Sequence, residues 1–359
     1  MPVAENWHNG GMHPTPPHTR RRLAPAWLLG LLVLFCLTAP ATQAAWYRQE
    51  AAIMGTRVAV ELWHTDPGAA RAAMDAVMAE MRRIDATMSP RRPDSELARL
   101  NRRAAHEAVA VSAELYDLIA RALRFSRLSD GAFDITFASV GHLYDFRRGI
   151  APDEAQIAAA LPGIDYRQVI LEAGHRIRYG RPQVLIDLGG IAKGHAVDRA
   201  IALLQARGIR EALVSAGGDS RILGDHHGRP WMIGIRDPER EQGSAVVLPL
   251  DNTAISTSGD YERFFVRDGV RFHHILSPAT GRPARGARSV TILGPDATTT
   301  DALSTTVFVL GAEKGLALIE SLPGIEAVII DAAGRLHFTR GLAPPAAARP
   351  PFAPAPATP

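Results

Sequence analysis

Residues 184–199 of the chain read Val-Leu-Ile-Asp-Leu-Gly-Gly-Ile-Ala-Lys-Gly-His-Ala-Val-Asp-Arg. This stretch narrows what the chain can become more than any other. The apolar run Val184 to Ile186 predicts a strand, Gly189 and Gly190 a turn, and the residues beyond them a helix that runs to Gly208. A glycine turn between a strand and a helix start lets backbone N–H groups and carbonyls come close to a ligand. Asp187 and Lys193 put a carboxylate and an amine on either side of it. The spacing is not a P-loop, since Gly194 is not followed by Lys and then Ser or Thr. Nor is it the dinucleotide pattern G-x-G-x-x-G.

The chain has 359 residues, 47% hydrophobic and 21% charged, enough for a sizeable core in one large domain or two small ones. Its start reads as an export signal. Arg20 to Arg22 precede an apolar run, Ala26 to Leu37, that is short for a membrane span. Ala41-Thr42-Gln43-Ala44 offers small residues for cleavage after Ala44. Residues 1–44 are therefore expected to be a signal peptide and the body periplasmic, with an uncleaved inner-membrane anchor as the other reading. Cys36, the one cysteine, follows the bulky Phe35, which argues against a lipoprotein, while a loose membrane association stays open. The remaining body has no cysteine, which excludes disulfides, thiolate metal sites and cysteine nucleophiles. Without Arg20 to Arg22 and Glu5 that body is close to neutral, so charge gives no case for nucleic acid. Residues 342–359 are almost all Ala and Pro and are expected to form a disordered tail.

Periodicity predicts a helix from Ala69 to Ile84 with Met74, Val77, Met78 and Met81 on one face. A loop from Met88 to Asn101 follows, and then a helix capped by Ser112. A short helix is expected at Asp153 to Leu161 and a strand at Val169 to Leu171. Further strands are expected at 58–62, 212–216, 231–236, 245–250, 254–257, 263–266, 272–276 and 289–293. Helices are expected at 300–310 and 313–321, and a hairpin joins 327–330 to 336–339. Irregular alternation, with meanders in the second half, favours α+β over a doubly wound sheet.

Asp301 and Thr305 are four apart on a predicted helix and so share one face. Asp301 falls in the first turn, where the helix dipole favours a carboxylate. Read alone, the pair is a helix-start aspartate and a surface threonine. A hard divalent cation, though, takes oxygen ligands of this kind, and Gly190 would add a backbone carbonyl. Asp187 read alone is a turn cap, and Lys193 a solvated side chain. Yet only two of the chain's 40 basic residues are lysines, Lys193 and Lys314, which makes a bland role for Lys193 less comfortable. His273 and His274, adjacent on one strand, point to opposite faces, so one packs and the other is free to act as a base or to orient a phosphate.

Further motifs lie in order along the chain. They are Met54-Gly55-Thr56, Pro93-Asp94-Ser95-Glu96-Leu97, Gly131-Ala132-Phe133-Asp134, Asp187 to Gly194, Gly217-Gly218-Asp219, Thr257 to Arg263, His273-His274-Ile275, Pro278 to Gly281 and Asp301 to Thr305. Together they resemble the ApbE family, the FAD:protein FMN transferases, over about residues 46 to 341. The resemblance implies a T-fold-like α+β fold, a single domain over residues 45–341 with mixed or antiparallel sheets and packed helices. It implies FAD bound in a cleft with Mg²⁺ and splitting of the FAD pyrophosphate. FMN passes through a phosphoester to a threonine or serine of an acceptor flavoprotein subunit, and AMP is released. Carried over residue by residue, Gly190, Asp301 and Thr305 would hold Mg²⁺. Met54, Ala132, Phe133, Asp134, Asp187, Lys193 and Ile275 would line the FAD site. His274 would assist the acceptor hydroxyl, with Asp301 as the other candidate base. Arg91 stands where the family often has a stacking tyrosine, and a guanidinium also stacks on aromatic rings. Ser215 stands where an asparagine is common. Two other readings bind the same FAD: a pyrophosphatase giving free FMN and AMP, and a non-catalytic periplasmic flavin-binding protein. The Asp301/Thr305 pair argues against the second, since storage needs no metal.

Overall fold

The computed structural model describes residues 44–240 and 243–342. The expected signal peptide, up to its last residue, and the Ala/Pro tail beyond Leu342 lie outside the described residues.

The main sheet has eight strands: β1 (Ala45–Ile53), β2 (Thr56–His64), β3 (Ala212–Ala216), β4 (Asp219–Leu223), β5 (Ala254–Gly259), β6 (Ala287–Gly294), β7 (Glu326–Asp331) and β8 (Leu336–Phe338). They lie side by side in chain order. Every pairing is antiparallel. A meander of this kind asks for no parallel crossover, in line with the α+β expectation. Six helices carry the argument: α1 (Pro67–Met88), α2 (Glu96–Arg103), α3 (Ala113–Leu128), α4 (Ala192–Ala206), α5 (Ala297–Leu310) and α6 (Ala312–Glu320). α4 packs between α1 and α5. Its small face, Ala196, Val197 and Ala200, is fully buried, and Met78 and Met81 of α1 belong to the same core. A second core joins α5 and α6 to β6 and β7 through Ile292, Val307, Phe308, Ile319 and Ile329. Among the described residues no helix is long and apolar enough to cross a membrane.

Local signals were obeyed where a cap was present. The Ser112 hydroxyl accepts from Leu115 N at 3.3 Å and starts α3. Asp153 and Gln156 form a reciprocal capping box at the head of Glu154–Ala160. The expected loop from Met88 to Asn101 contains α2 instead, begun by Ser95, whose hydroxyl accepts from Ala98 N. α5 starts at Ala297 rather than Thr300, so Asp301 lies in its second turn and not its first. The strand expected at 272–276 is shifted to Val270–His273.

The central expectation fails in an informative way. Val184 to Leu188 forms no regular secondary structure and joins no sheet. Side chains replace the ladder. Asn101 Oδ1 accepts from Ile186 N at 3.0 Å and its Nδ2 donates to Ile186 O at 2.8 Å, the two bonds a neighbouring strand would make. Tyr179 OH donates to the same Oδ1 at 2.8 Å. Leu185 N donates to Ser139 Oγ at 3.0 Å. Asn101→Ala should then leave both Ile186 groups without partners. A loss of about 2–4 kcal/mol is expected, read as a lower urea midpoint at unchanged slope. A midpoint at the parent value would mean that the segment is held by packing alone.

Candidate active site

The chain leaves this clamp at Asp187, whose carboxylate accepts from Gly189 N at 2.7 Å and caps the turn. The turn delivers Lys193 into the first turn of α4. Its ammonium meets three acceptors: Asp219 Oδ2 at 2.7 Å, Asp301 Oδ1 at 3.2 Å and Gly189 O at 3.1 Å. Both carboxylates are 2% exposed. Gly194 N donates to Asp301 Oδ2 at 2.9 Å. Burial alone would lower Lys193, but Asp219 and Asp301 outweigh it and hold the amine above its usual range. Burial, and next the Asp219 carboxylate, push Asp301 up against the pull of Lys193. Two buried carboxylates thus share one ammonium, an arrangement that calls for more positive charge.

Thr305 follows Asp301 by one helical turn, and its hydroxyl lies 3.4 Å from Ser258 Oγ. Gly190 is pressed against it. A Cβ added at Gly190 would sit 3.2 Å from Thr305 Oγ1 and 3.2 Å from the Phe133 ring. Gly190, Asp301 and Thr305 therefore converge from two distant parts of the chain. Among the described residues no group of three or more His, Cys, Asp or Glu side chains is placed to hold a metal. A hard cation does not require one. Mg²⁺ commonly takes one or two carboxylates and completes its shell with water and substrate phosphate oxygens. An oxygen-rich donor set with a lysine ammonium already standing in for positive charge fits such an ion.

The other expected contacts surround this centre to different degrees. Phe133 is buried, edge-on to Phe125, with its ring against Gly190. Ala132 precedes it in the same turn, its N–H donating to Ser129 O. Asp134 faces inward: its carboxylate accepts from Thr136 N, Thr136 Oγ1 and Tyr166 N, so it shapes the loop from behind. Burial raises Asp134 in spite of those bonds. Met54 and Gly55 form the two-residue turn between β1 and β2, both at positive φ (55° and 69°). That turn type matches the strand twist, yet it costs a methionine about 1–2 kcal/mol that an Asn or Gly would not incur. Arg263, exposed, donates to Gly55 O at 3.2 Å and ties the turn to the His274 segment, since His274 N donates to Arg263 O at 3.1 Å. Arg91 is exposed, and its charge is felt by both Asp187 and Arg263.

The two histidines separate as their adjacency implies, although the strand ends at His273. His273 is buried, bonds Ala284 O through Nε2 at 2.8 Å and lies edge-on to Phe308. His274 has a buried Nδ1 without a partner. Burial first, then the charges of Arg263, His273 and Lys193, push it down to about 3, so its imidazole is neutral. Ile275 is buried and receives Ala284 N on its carbonyl. A cleft of about 600 Å³ lined by Tyr144, Arg271 and Phe272 lies elsewhere, with none of the Lys193 cluster in its wall.

The residue roles inferred from sequence missed Asp219, Arg263 and Ser258, although the first two close quoted motifs. The signal for Asp219 was the double glycine before it. A Cβ at Gly218 would collide with the Thr257 carbonyl oxygen, so the turn is pinned between strands and Asp219 must enter β4 at that point.

An antiparallel α+β domain thus brings a lysine and two buried carboxylates together at a glycine turn, walled by an aromatic ring and rimmed by arginines. The chain belongs to the ApbE family, whose signature matches residues 54–329. It is 37% identical to an FAD:protein FMN transferase of Treponema pallidum over 82% of this chain and 87% of that one. It is 34% identical to the protein of that name from Vibrio cholerae, over 82% and 90%. Among solved structures, the ApbE protein of Thermotoga maritima superposes with a TM-score of 0.77 at 36% identity, covering 83% of this chain and 98% of that one. The flavin transferase ApbE of Vibrio cholerae gives 0.75 at 29% identity, over 83% and 98%.

Proposed function

We propose that this protein is an FAD:protein FMN transferase: it moves FMN from FAD onto a threonine or serine hydroxyl of a flavoprotein partner and releases AMP. The observation that carries this reading is the meeting of Gly190, Asp301 and Thr305 beside Lys193, in a member of a family whose relatives bear that name. Gly190 through its carbonyl, Asp301 and Thr305 would hold Mg²⁺, which when bound neutralises pyrophosphate charge and orients the phosphorus centre. Lys193 is fixed at the turn and offers its positive charge to the pyrophosphate. Arg91 and Arg263 at the rim favour the same anion. Phe133, Ala132, Met54 and Ile275 give the rings of FAD an apolar wall, and Asp134 and Asp187 hold the two loops in place. The acceptor oxygen forms a bond to the FMN phosphorus as the bond from that phosphorus to the AMP oxygen breaks. Neutral His274 takes the hydroxyl proton on its ring as the negative charge of the bound pyrophosphate raises its basicity from the low value of the free site, and AMP leaves as a stable phosphate that needs little acid help. Export to the periplasm with cleavage after Ala44 is part of the same proposal and rests on the arginine, apolar and small-residue pattern of residues 20–44.

Incubation of the protein with FAD, Mg²⁺ and an acceptor domain should add the mass of FMN to the acceptor, and a chelator should abolish the gain. His274→Ala should slow transfer about 100-fold while FAD binding changes by no more than a few-fold. Free FMN and AMP with an unmodified acceptor would make the protein a pyrophosphatase. Binding of FAD without turnover would make it a carrier.

A further inference from the structure

Two helices supply the candidate site, α4 with Lys193 and α5 with Asp301 and Thr305, and each caps the other. Gly194 N belongs to the first turn of α4, where backbone donors lack helical partners. It is taken by Asp301 of α5 at 2.9 Å. The reverse contact comes from Asp198 of α4. Its Oδ1 accepts from Ala297 N at 2.9 Å, and its Oδ2 from Thr298 N at 2.8 Å and from Thr298 Oγ1 at 2.5 Å. Ala297 and Thr298 are the first two residues of α5, so Asp198 fixes where that helix begins. Asp198 also accepts from Arg221 Nη1 at 2.7 Å. Arg221 lies on β4, two residues beyond Asp219 and so on the same face of the strand. One carboxylate thus ties together the three elements that present Lys193, Asp219, Asp301 and Thr305. Gly194 and Asp198 are four apart and share the face of α4 that meets α5.

We propose that Asp198 is a positioning residue that sets Asp301 and Thr305 of α5 against Gly190 and Lys193. It touches none of the reacting groups. It acts through the rigid first turns of α5, about 6 Å of helix between Ala297 and Asp301. The part of its test that uses a metal rests on the Mg²⁺ reading above, and the other part does not.

The test compares Asp198→Ala with Asp198→Asn and with Asp296→Ala as control. Asp296 is the N-cap of α5, but its carboxylate bonds Thr299 and Arg121 rather than α4. Removing it weakens the same helix end without releasing α5 from α4. Two quantities are read at a temperature where all variants are fully folded: exchange of the Gly194 amide in the metal-free protein, and the Kd for Mn²⁺ followed by electron paramagnetic resonance. In Asp198→Ala, Gly194 should exchange about tenfold faster or more as Asp301 shifts. The Mn²⁺ Kd should rise by about tenfold or more, as for loss of a ligand's support. Asp198→Asn, which keeps one acceptor oxygen, should fall between, and it decides the matter in the same way if the Ala variant does not fold. Asp296→Ala should leave both readouts near the parent. Parent-like Gly194 exchange in folded Asp198 variants would overturn the proposal, as would equal changes in Asp296→Ala. If the parent binds no Mn²⁺, the metal reading fails and the Gly194 amide alone decides.

Discussion

Asp301→Asn should lower Mg²⁺-dependent FMN transfer at least about 100-fold while leaving the protein folded. The side chain keeps its shape and loses its charge. Asp301 is buried among Lys193, Gly194 N and Asp219, so its charge is not diluted by solvent. Removing it does not strand a buried ammonium, because Asp219 still holds Lys193 at 2.7 Å. The stability change should accordingly stay within about 2 kcal/mol, the scale of one or two charged hydrogen bonds. What goes is the carboxylate that a divalent cation would need beside the Gly190 carbonyl and Thr305. Transfer is followed by acceptor mass across a Mg²⁺ titration, and folding by urea denaturation. Parent-like transfer would remove Asp301 from the metal site and leave it a helix cap.

Gly194→Ala should have an effect of the same order by a different route. A Cβ there would lie 2.6 Å from the Ala297 carbonyl carbon, nearer still to its oxygen, and 2.8 Å from Asp301 Cβ. Two of these atoms are backbone and cannot rotate away, so α4 and α5 must part. Overpacking of this kind costs about 1–3 kcal/mol. The displacement matters more than the energy, since a shift of about 1 Å in catalytic geometry can cost about 100-fold in rate. The expected result is a folded protein with a lowered melting temperature and transfer reduced about 100-fold. Ala at Gly174, where an added Cβ meets nothing within 4 Å, separates steric from generic glycine effects, though its positive φ carries a small cost of its own. Unchanged transfer in Gly194→Ala would show that the helix spacing has slack.

Much of this is legible in the amino-acid sequence. The α+β class followed from irregular alternation, and helices with clean caps, such as the one at Ser112, began where expected. The convergence of Gly190 with Asp301 and Thr305 rested on the family resemblance, because no local pattern links residues more than 100 positions apart. The errors have identifiable causes. β1, absent from the expected strands, is an edge strand whose aromatic start, Trp46 and Tyr47, is followed by Arg48, Gln49, Glu50, Ala51 and Ala52 before Ile53, so its apolar alternation is faint. The start of α5 hides behind Thr298, Thr299 and Thr300, poor helix formers on average. Here two of their hydroxyls are spent on Asp198 and Asp296, which turns a weak start into a well-bonded one. For Asp219 the double glycine marked the turn but not the role, because its partner, Lys193, lies on another element.

The segment leading into the glycine turn is held by Asn101 and Ser139 rather than by a strand ladder. A ladder is written in backbone, and most side chains of suitable shape can occupy it. A clamp is written in individual side chains, and few others have the same donors and acceptors at the same reach. Apart from positions such as Asp219 and Ser258 that reach the site, the sheet can therefore drift in sequence with little consequence for catalysis, whereas the approach to the turn is encoded in a few letters remote from the chemistry. Heritable change in this protein should be cheapest in its largest element and dearest in one of its least regular.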